Sequence, residues 1–195
     1  MKKILYSVAL AACCMGTMTS CSDFLDASNK SNVTAKQSFA TKEGLNNLVN
    51  NAYQHLQNVY AAPLFTSCFS AGTDMYADAR NKMNEALNTY ETLTPENTDI
   101  KNLYTYLYSG IRAANSVSYY AQTAQVDDKT KGQLVGEARV LAAYEYYLLV
   151  NNFGGVPIMK DFLTTADTGY PKSSAADVYA YIISELEEVI GKNVL

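Results

Sequence analysis

Residues 136–157, GEARVLAAYEYYLLVNNFGGVP, constrain the chain more than any other stretch: a dense apolar, tyrosine-rich run, stopped by a Gly-Gly pair and a proline. At 3.6 residues per turn, Leu134, Ala138, Leu141, Ala142, Leu148 and Leu149 share one stripe, which Glu145 and Asn152 interrupt. Ala143, Tyr144, Tyr147 and Val150 fall on the opposite side. A helix that is apolar on more than one side needs neighbours on more than one side, so the chain must supply other helices to sandwich it. Gly154 provides the left-handed position that ends a helix without a Cβ penalty, and Pro157 prevents its resumption.

Three further amphipathic segments answer that need. The first runs from Thr41, a good N-cap, to Tyr60, with Leu45, Leu48, Ala52, Leu56 and Val59 on one face and His55 beside it. A second starts near Thr98 or Asp99 and continues to about Ala124. Ile100, Leu103, Tyr104, Leu107, Tyr108, Ile111, Ala114, Val117 and Ala121 form its stripe. A polar turn at Val126 to Lys129 then reverses the chain into the central helix. After an irregular crossing from Ile158 to Pro171, Ser174 and Asp177 form a capping-box-like pair ahead of a fourth helix. Its buried face is Val178, Ile182, Leu186 and Val189, and its solvated face Glu185, Glu187 and Glu188. The fold class expected is all-α, built from antiparallel helical hairpins.

Pro63 to about Thr94 breaks the helical period. Long irregular segments on a rigid scaffold are where binding tends to reside. The alternative is a plain surface loop with a short helix near Asn84 to Tyr90.

Residues 1–20 read as a secretory signal peptide: Lys2 and Lys3, an apolar run from Ile4 to about Met15, then small and hydroxylated residues. The run is shorter than the roughly 20 residues needed to span a bilayer. Met18-Thr19-Ser20-Cys21 then forms a relaxed lipoprotein cleavage box, with Cys21 as the lipidated mature N terminus. The alternative is a plain signal peptide cut nearby. Cysteine usage favours lipidation, because Cys13 and Cys14 leave with the leader and only Cys21 and Cys68 remain in a compartment that favours disulfides. Residues 21–40 are expected to tether a helical domain at 41–195.

Removing the leader leaves 13 basic against 19 acidic residues, so nucleic acid is excluded as a partner. One histidine rules out a metal-binding histidine pair or a histidine-based triad, and there is no CxxC or zinc spacing. No cofactor is expected. The 16 tyrosines suit helix interfaces first and sugar-stacking surfaces second.

Four blocks, in this order, resemble the SusD/RagB family of outer-membrane nutrient-uptake lipoproteins. The first is Cys21 with Asp23, Phe24, Leu25 and Asp26. The second is the helix carrying Leu103, where the family has tryptophan, with Tyr106, Leu107, Tyr108, Ile111, Ala114 and Asn115. The third is Glu137, Ala138, Leu141, Ala143, Tyr144, Tyr146, Leu149, Phe153, Gly154, Val156 and Pro157. The last is Lys172, Ser174, Asp177, Val178, Tyr179, Ile182, Glu185 and Leu186. Ala142 replaces the family's arginine, so the pairing that guanidinium makes is absent or moved to Arg139. Asn115, at the edge of its stripe, is expected to bridge backbone rather than touch ligand.

The resemblance implies tetratricopeptide-like hairpins with long irregular loops, an incomplete SusD-like fold given that family members are several hundred residues long. It implies a surface-exposed, lipid-anchored outer-membrane protein. Such a protein binds oligosaccharides, or peptides in some members, without turnover and hands them to a TonB-dependent SusC-like transporter. The family's ligand site has no fixed motif. Its location maps onto the irregular segment, where Asp74, Tyr76, Arg80, Asn81 and Tyr90 are the candidate ligand-binding residues. Two rival readings remain: a helical adaptor that binds only protein, and a hydrolase using a carboxylate pair such as Asp74 and Asp78.

Overall fold

Four long helices carry the architecture in a computed structural model, which describes residues 34–61, 63–76, 85–165 and 169–192. The leader, Cys21 and the acidic start after it lie outside those residues. In chain order the elements are α1 (Ala35–Ser38), α2 (Lys42–Tyr60), a π-helical turn (Thr66–Ser70), α3 (Glu85–Thr89), α4 (Thr98–Ala121), α5 (Asp128–Phe153) and α6 (Ala175–Gly191). No strand occurs among the described residues.

Each long helix starts on a side-chain cap that satisfies backbone N–H groups the helix itself leaves free. The Thr41 hydroxyl accepts from the Gly44 N–H at 3.1 Å. Asn97, one residue ahead of the expected start, accepts from Asp99 and Ile100 at 3.0 and 3.1 Å. Asp127 accepts from the Thr130 N–H at 2.9 Å. These contacts to Thr130 hold its carboxyl below the usual carboxylate range. Ser174 and Asp177 complete the reciprocal capping box read from the sequence.

Cross-helix contacts fix the directions. Phe39 and Tyr120 rings lie 4.8 Å apart, and the Gln125 N–H donates to the Ala40 carbonyl, so α2 and α4 form an antiparallel hairpin. Arg139 reaches Glu188, and Tyr179 donates to Asn151, so α5 and α6 form a second. Tyr53 bonds Glu137 and Tyr60 bonds Tyr144 at the same separation of 84 residues, which makes α2 and α5 parallel. Two antiparallel pairs stacked with their first helices parallel is the tetratricopeptide arrangement.

The central helix is enclosed on several sides, as its composition requires. Leu134, Ala138, Leu141 and Ala142 join Leu45, Leu48, Val49, Ala52, Ala113, Ala114 and Val117 in one core cluster. Ala143, Tyr146, Leu149 and Val150 join Val59, Leu103, Leu107, Ile111, Val178 and Ile182 in another. Each fully buried Leu, Ile or Val contributes roughly 1.5–3 kcal/mol. Alanines at the crossings let the backbones approach closely.

Several positions differ from the sequence reading. Tyr144 and Tyr147 reach the surface at 39% and 48% exposure, so only Ala143 and Val150 of that side are core. Tyr104 also leaves the core stripe of α4, at 36% exposure. The helix itself ends at Ala121, because the Thr123 N–H turns back to the Tyr120 carbonyl. Gly154 has φ 69° and ψ −137°, outside the left-handed helical basin and in a region only glycine visits without strain. Glu185 is not purely solvated: with Glu188 it receives Arg139, at 3.6 and 2.5 Å. Arg139 therefore has an acidic partner set across α5 and α6, while Ala142 packs in the core.

Candidate functional site

Beyond Tyr60 the chain turns into the irregular segment through a π-helical turn, a geometry that recurs at functional sites. The turn is closed by the Ala71 N–H donating to the Thr66 carbonyl at 2.9 Å. It carries a ladder of rings: Tyr60 stacks on Phe65 at 5.3 Å, and Phe65 on Phe69 at 5.2 Å. The Tyr60 hydroxyl bonds that of Tyr144, which in turn stacks near Tyr147 at 6.2 Å. Burial, with that hydrogen bond, pushes the Tyr60 phenol up to about 12, so it stays protonated at neutral pH.

Asp74 is exposed in the turn that follows, and Tyr76 is half-buried. Tyr90 comes back to the same place. It is 59% exposed and holds φ 62°, a strained backbone for a bulky residue. Its phenol rests over Gly72, where a Cβ would stand 2.2 Å from the hydroxyl oxygen. Gly72, at φ 76°, is thus required both by its backbone and by the ring above it. The structure sets the Tyr90 ring on Gly72, two residues before Asp74. Arg80 and Asn81 lie outside the described residues.

A second surface runs along the outer side of α4, beneath the strap of residues 156–165. The strap is held by named bonds. Tyr108 donates to the Pro157 carbonyl at 2.7 Å. Asn115 donates to the Met159 carbonyl at 2.8 Å, the backbone-bridging role expected of it. The Tyr146 hydroxyl accepts from the Met159 N–H at 2.7 Å and faces its carbonyl at 3.3 Å. Further along, Phe162 packs on Tyr119 and Tyr120, with the Arg112 guanidinium 5.6 Å from its ring centre. Burial raises the Tyr108 and Tyr146 phenols well above their ordinary value, so both remain protonated donors.

Two clefts open beside the strap. One, of about 500 Å³, is lined by Tyr104, Thr105, Tyr108, Ser109, Arg112 and Tyr170 among others. The other, of about 310 Å³, is lined by Arg112, Asn115, Asp161, Thr164 and Thr165 among others. They share Arg112 and Met159. The sequence reading did not single out Arg112, although its place eight residues after Tyr104 and four after Tyr108 puts the three on one helical stripe.

No group of three His, Cys, Asp or Glu side chains among the described residues is arranged to hold a metal. Burial, followed by the Asp99 charge, pushes the Cys68 thiol up to about 11, so it is unreactive at neutral pH. Burial likewise lowers the pKa of His55, whose Nδ1 has no partner. No helix among the described residues is long and apolar enough to cross a membrane.

Two paired helical hairpins of tetratricopeptide type, with rings and polar side chains exposed along α4 and the irregular connections, define an all-α helical-repeat protein. Residues 23–192 match the family model described as "Starch-binding associating with outer membrane". The chain belongs to this SusD-like family. It is 28% identical over 179 residues to SusD-like protein P38 of Formosa agariphila, covering 89% of this chain and 34% of that protein. Among solved structures it superposes on surface glycan-binding protein A from Bacteroides uniformis with a TM-score of 0.66 and 26% identity, over 78% of this chain and 35% of that one. A laminarin-binding SusD-like protein gives a TM-score of 0.65 at 21% identity, over 75% of this chain and 33% of that one, a likeness of fold. The chain spans about a third of the length of these relatives.

Proposed function

We propose that this chain captures oligosaccharides at the outer face of the outer membrane, to which lipid on Cys21 anchors it. It then passes them unaltered to a SusC-like TonB-dependent transporter. The observation that carries this reading is the family match across residues 23–192, under a description that names both starch binding and the outer membrane. The tether at 21–40 and the helical domain at 41–195 follow from the same reading, except that Phe39 and Ala40 already pack against Tyr120 and Gln125 and so belong with the helices. Asp74, Tyr76, Arg80, Asn81 and Tyr90 contact the ligand. Exposed aromatic faces stack on the C–H faces of sugar rings, while carboxylate, amide and guanidinium groups bond their hydroxyls. The supporting features are the Tyr90 ring resting on Gly72, two residues before Asp74, and the ladder of Tyr60, Phe65 and Phe69 rings ahead of that turn.

The test is made in cells expressing the full-length gene. Mass spectrometry of the mature N terminus should find a diacylglycerol thioether on Cys21, and gentle solubilisation should co-purify a TonB-dependent barrel. Cys21→Ser should release the protein from the membrane. An unlipidated Cys21 with no barrel partner would overturn the reading.

A further inference from the structure

The two clefts beside the strap share Arg112 and Met159 in their linings and so adjoin along α4, a trough in two parts. From Tyr104 to Asn115 it follows eleven residues of α4, about 16 Å at the helical rise, the length of a short oligosaccharide. Rings and hydrogen-bonding groups alternate along it at helical spacing: Tyr104, Tyr108 and Arg112 at four-residue steps, with Thr105 and Ser109 beside them. The rings are set before any ligand arrives. Tyr104 is held edge-on to Phe153 at 5.1 Å and tilted against Tyr108 at 4.7 Å, yet stays 36% exposed. Tyr108 is fixed by its bond to Pro157.

Arg112 is the polar centre. It is exposed, and among the described residues it makes no ion pair, in a chain with an excess of acidic groups. Its planar head lies near the Phe162 ring, which positions the guanidinium at the join of the two clefts. A planar guanidinium offers several N–H donors in a fixed fork, suited to neighbouring hydroxyl oxygens on one face of a ligand. Asn115 spends its amide N–H on Met159 and keeps its carbonyl oxygen as an acceptor. Asp161, Thr164 and Thr165 supply acceptors and hydroxyls on the opposite wall.

This mixture selects against other ligand classes. One guanidinium beside Asp161 is too little positive charge for a polyanion, and an open trough with Thr105, Ser109, Arg112 and Asn115 set among its rings does not enclose a lipid chain. A pyranose chain presents what the trough answers: alternating C–H faces and hydroxyl edges.

We propose that the trough on the outer side of α4, centred on Arg112 and walled by Tyr104 and Asn115, is a saccharide-binding subsite separate from Asp74, Tyr76 and Tyr90. It rests on the glycan-capture reading above and adds a second place on the same molecule where the chain is gripped. A polymer engaged at two points would dissociate more slowly than one held at either.

The experiment titrates the chain with oligosaccharides prepared from starch and from laminarin, after an oligosaccharide array has identified which sugars it binds. Calorimetry compares Tyr104→Ala and Arg112→Ala with Asp74→Ala and Tyr90→Ala, and circular dichroism confirms that each variant melts as the parent does. Arg112→Lys serves if Arg112→Ala does not fold. NMR follows the Asn115 side-chain amide. The subsite predicts at least a tenfold loss of affinity for each trough variant and a shift of the Asn115 amide on saturation. Unchanged affinity in the trough variants, with loss only in Asp74→Ala or Tyr90→Ala, overturns the subsite and leaves glycan capture standing. Absence of binding by the parent chain to every sugar on the array overturns both. Displacement of bound saccharide from α4 by an extended peptide of higher affinity also overturns the subsite.

Discussion

Glu145 offers the sharpest quantitative test of the helix packing. Its side chain is fully buried, neither carboxyl oxygen has a partner, and it presses on Gly110 of α4, where a Cβ would stand 1.7 Å from Oε1. Burial raises its carboxyl from 4.5 to about 9, so at neutral pH the folded chain holds a proton that the unfolded chain releases. The folded state binds the extra proton, so its stability is complete below about pH 4.5 and falls as pH rises toward 9. At about 1.36 kcal/mol per unit, the loss from pH 4.5 to 7 is on the order of 3 kcal/mol. For a domain of this size that is on the order of 6–12 °C in melting temperature. Glu145→Gln keeps the shape and removes the titration. Urea unfolding followed by helical circular dichroism at pH 5, 7 and 9 should therefore show the variant gaining steadily on the parent as pH rises. Other groups cancel in that difference. Gly110→Ala should cost about 1–3 kcal/mol through overpacking, and less in a Glu145→Ala background. A parent and a Gln variant with parallel pH profiles would refute the buried, unpartnered carboxyl.

Three further outcomes follow from contacts named above. Tyr146→Phe strips the Met159 N–H of its acceptor, so it should cost about 1–2 kcal/mol and speed hydrogen exchange in the strap without loss of helix content. Ser174→Ala removes the reciprocal cap of α6 and should lower stability by about 1 kcal/mol in chemical denaturation, whereas Ser174→Asn should retain most of it. Arg139→Ala breaks the half-exposed bridge from α5 to Glu185 and Glu188, a loss of up to about 1 kcal/mol that added salt should shrink.

Local chemistry was readable in the sequence and distant pairing was not. The caps Thr41 and Ser174, the stop at Gly154 and the stripe Val178, Ile182 and Val189 each depend on residues within a turn or two, so composition and spacing reveal them. The enclosed central helix was also readable, because apolar residues on two sides admit no other placement. What escaped depends on partners far along the chain. Phe39 lies in the segment read as a tether but packs on Tyr120. Glu185 looks solvated until Arg139 is set beside it, and Tyr104 looks like core until the bundle closes without it. The strap follows the same rule: its length from Ile158 shows a crossing, yet only the tertiary fold reveals that Tyr108, Asn115 and Tyr146 hold it against α4 and α5. Of the candidate site, Tyr90 reaches the turn that precedes Asp74 because Gly72 admits its ring, a contact with no signature in residue type alone.

We propose that the chain grips saccharides and leaves them intact. The most direct test is equilibrium binding to an oligosaccharide array, followed by chromatography of the recovered ligand. The account predicts saturable binding to at least one sugar series, with every oligosaccharide recovered at its original length. Shortened products, or no binding across the array, would contradict it.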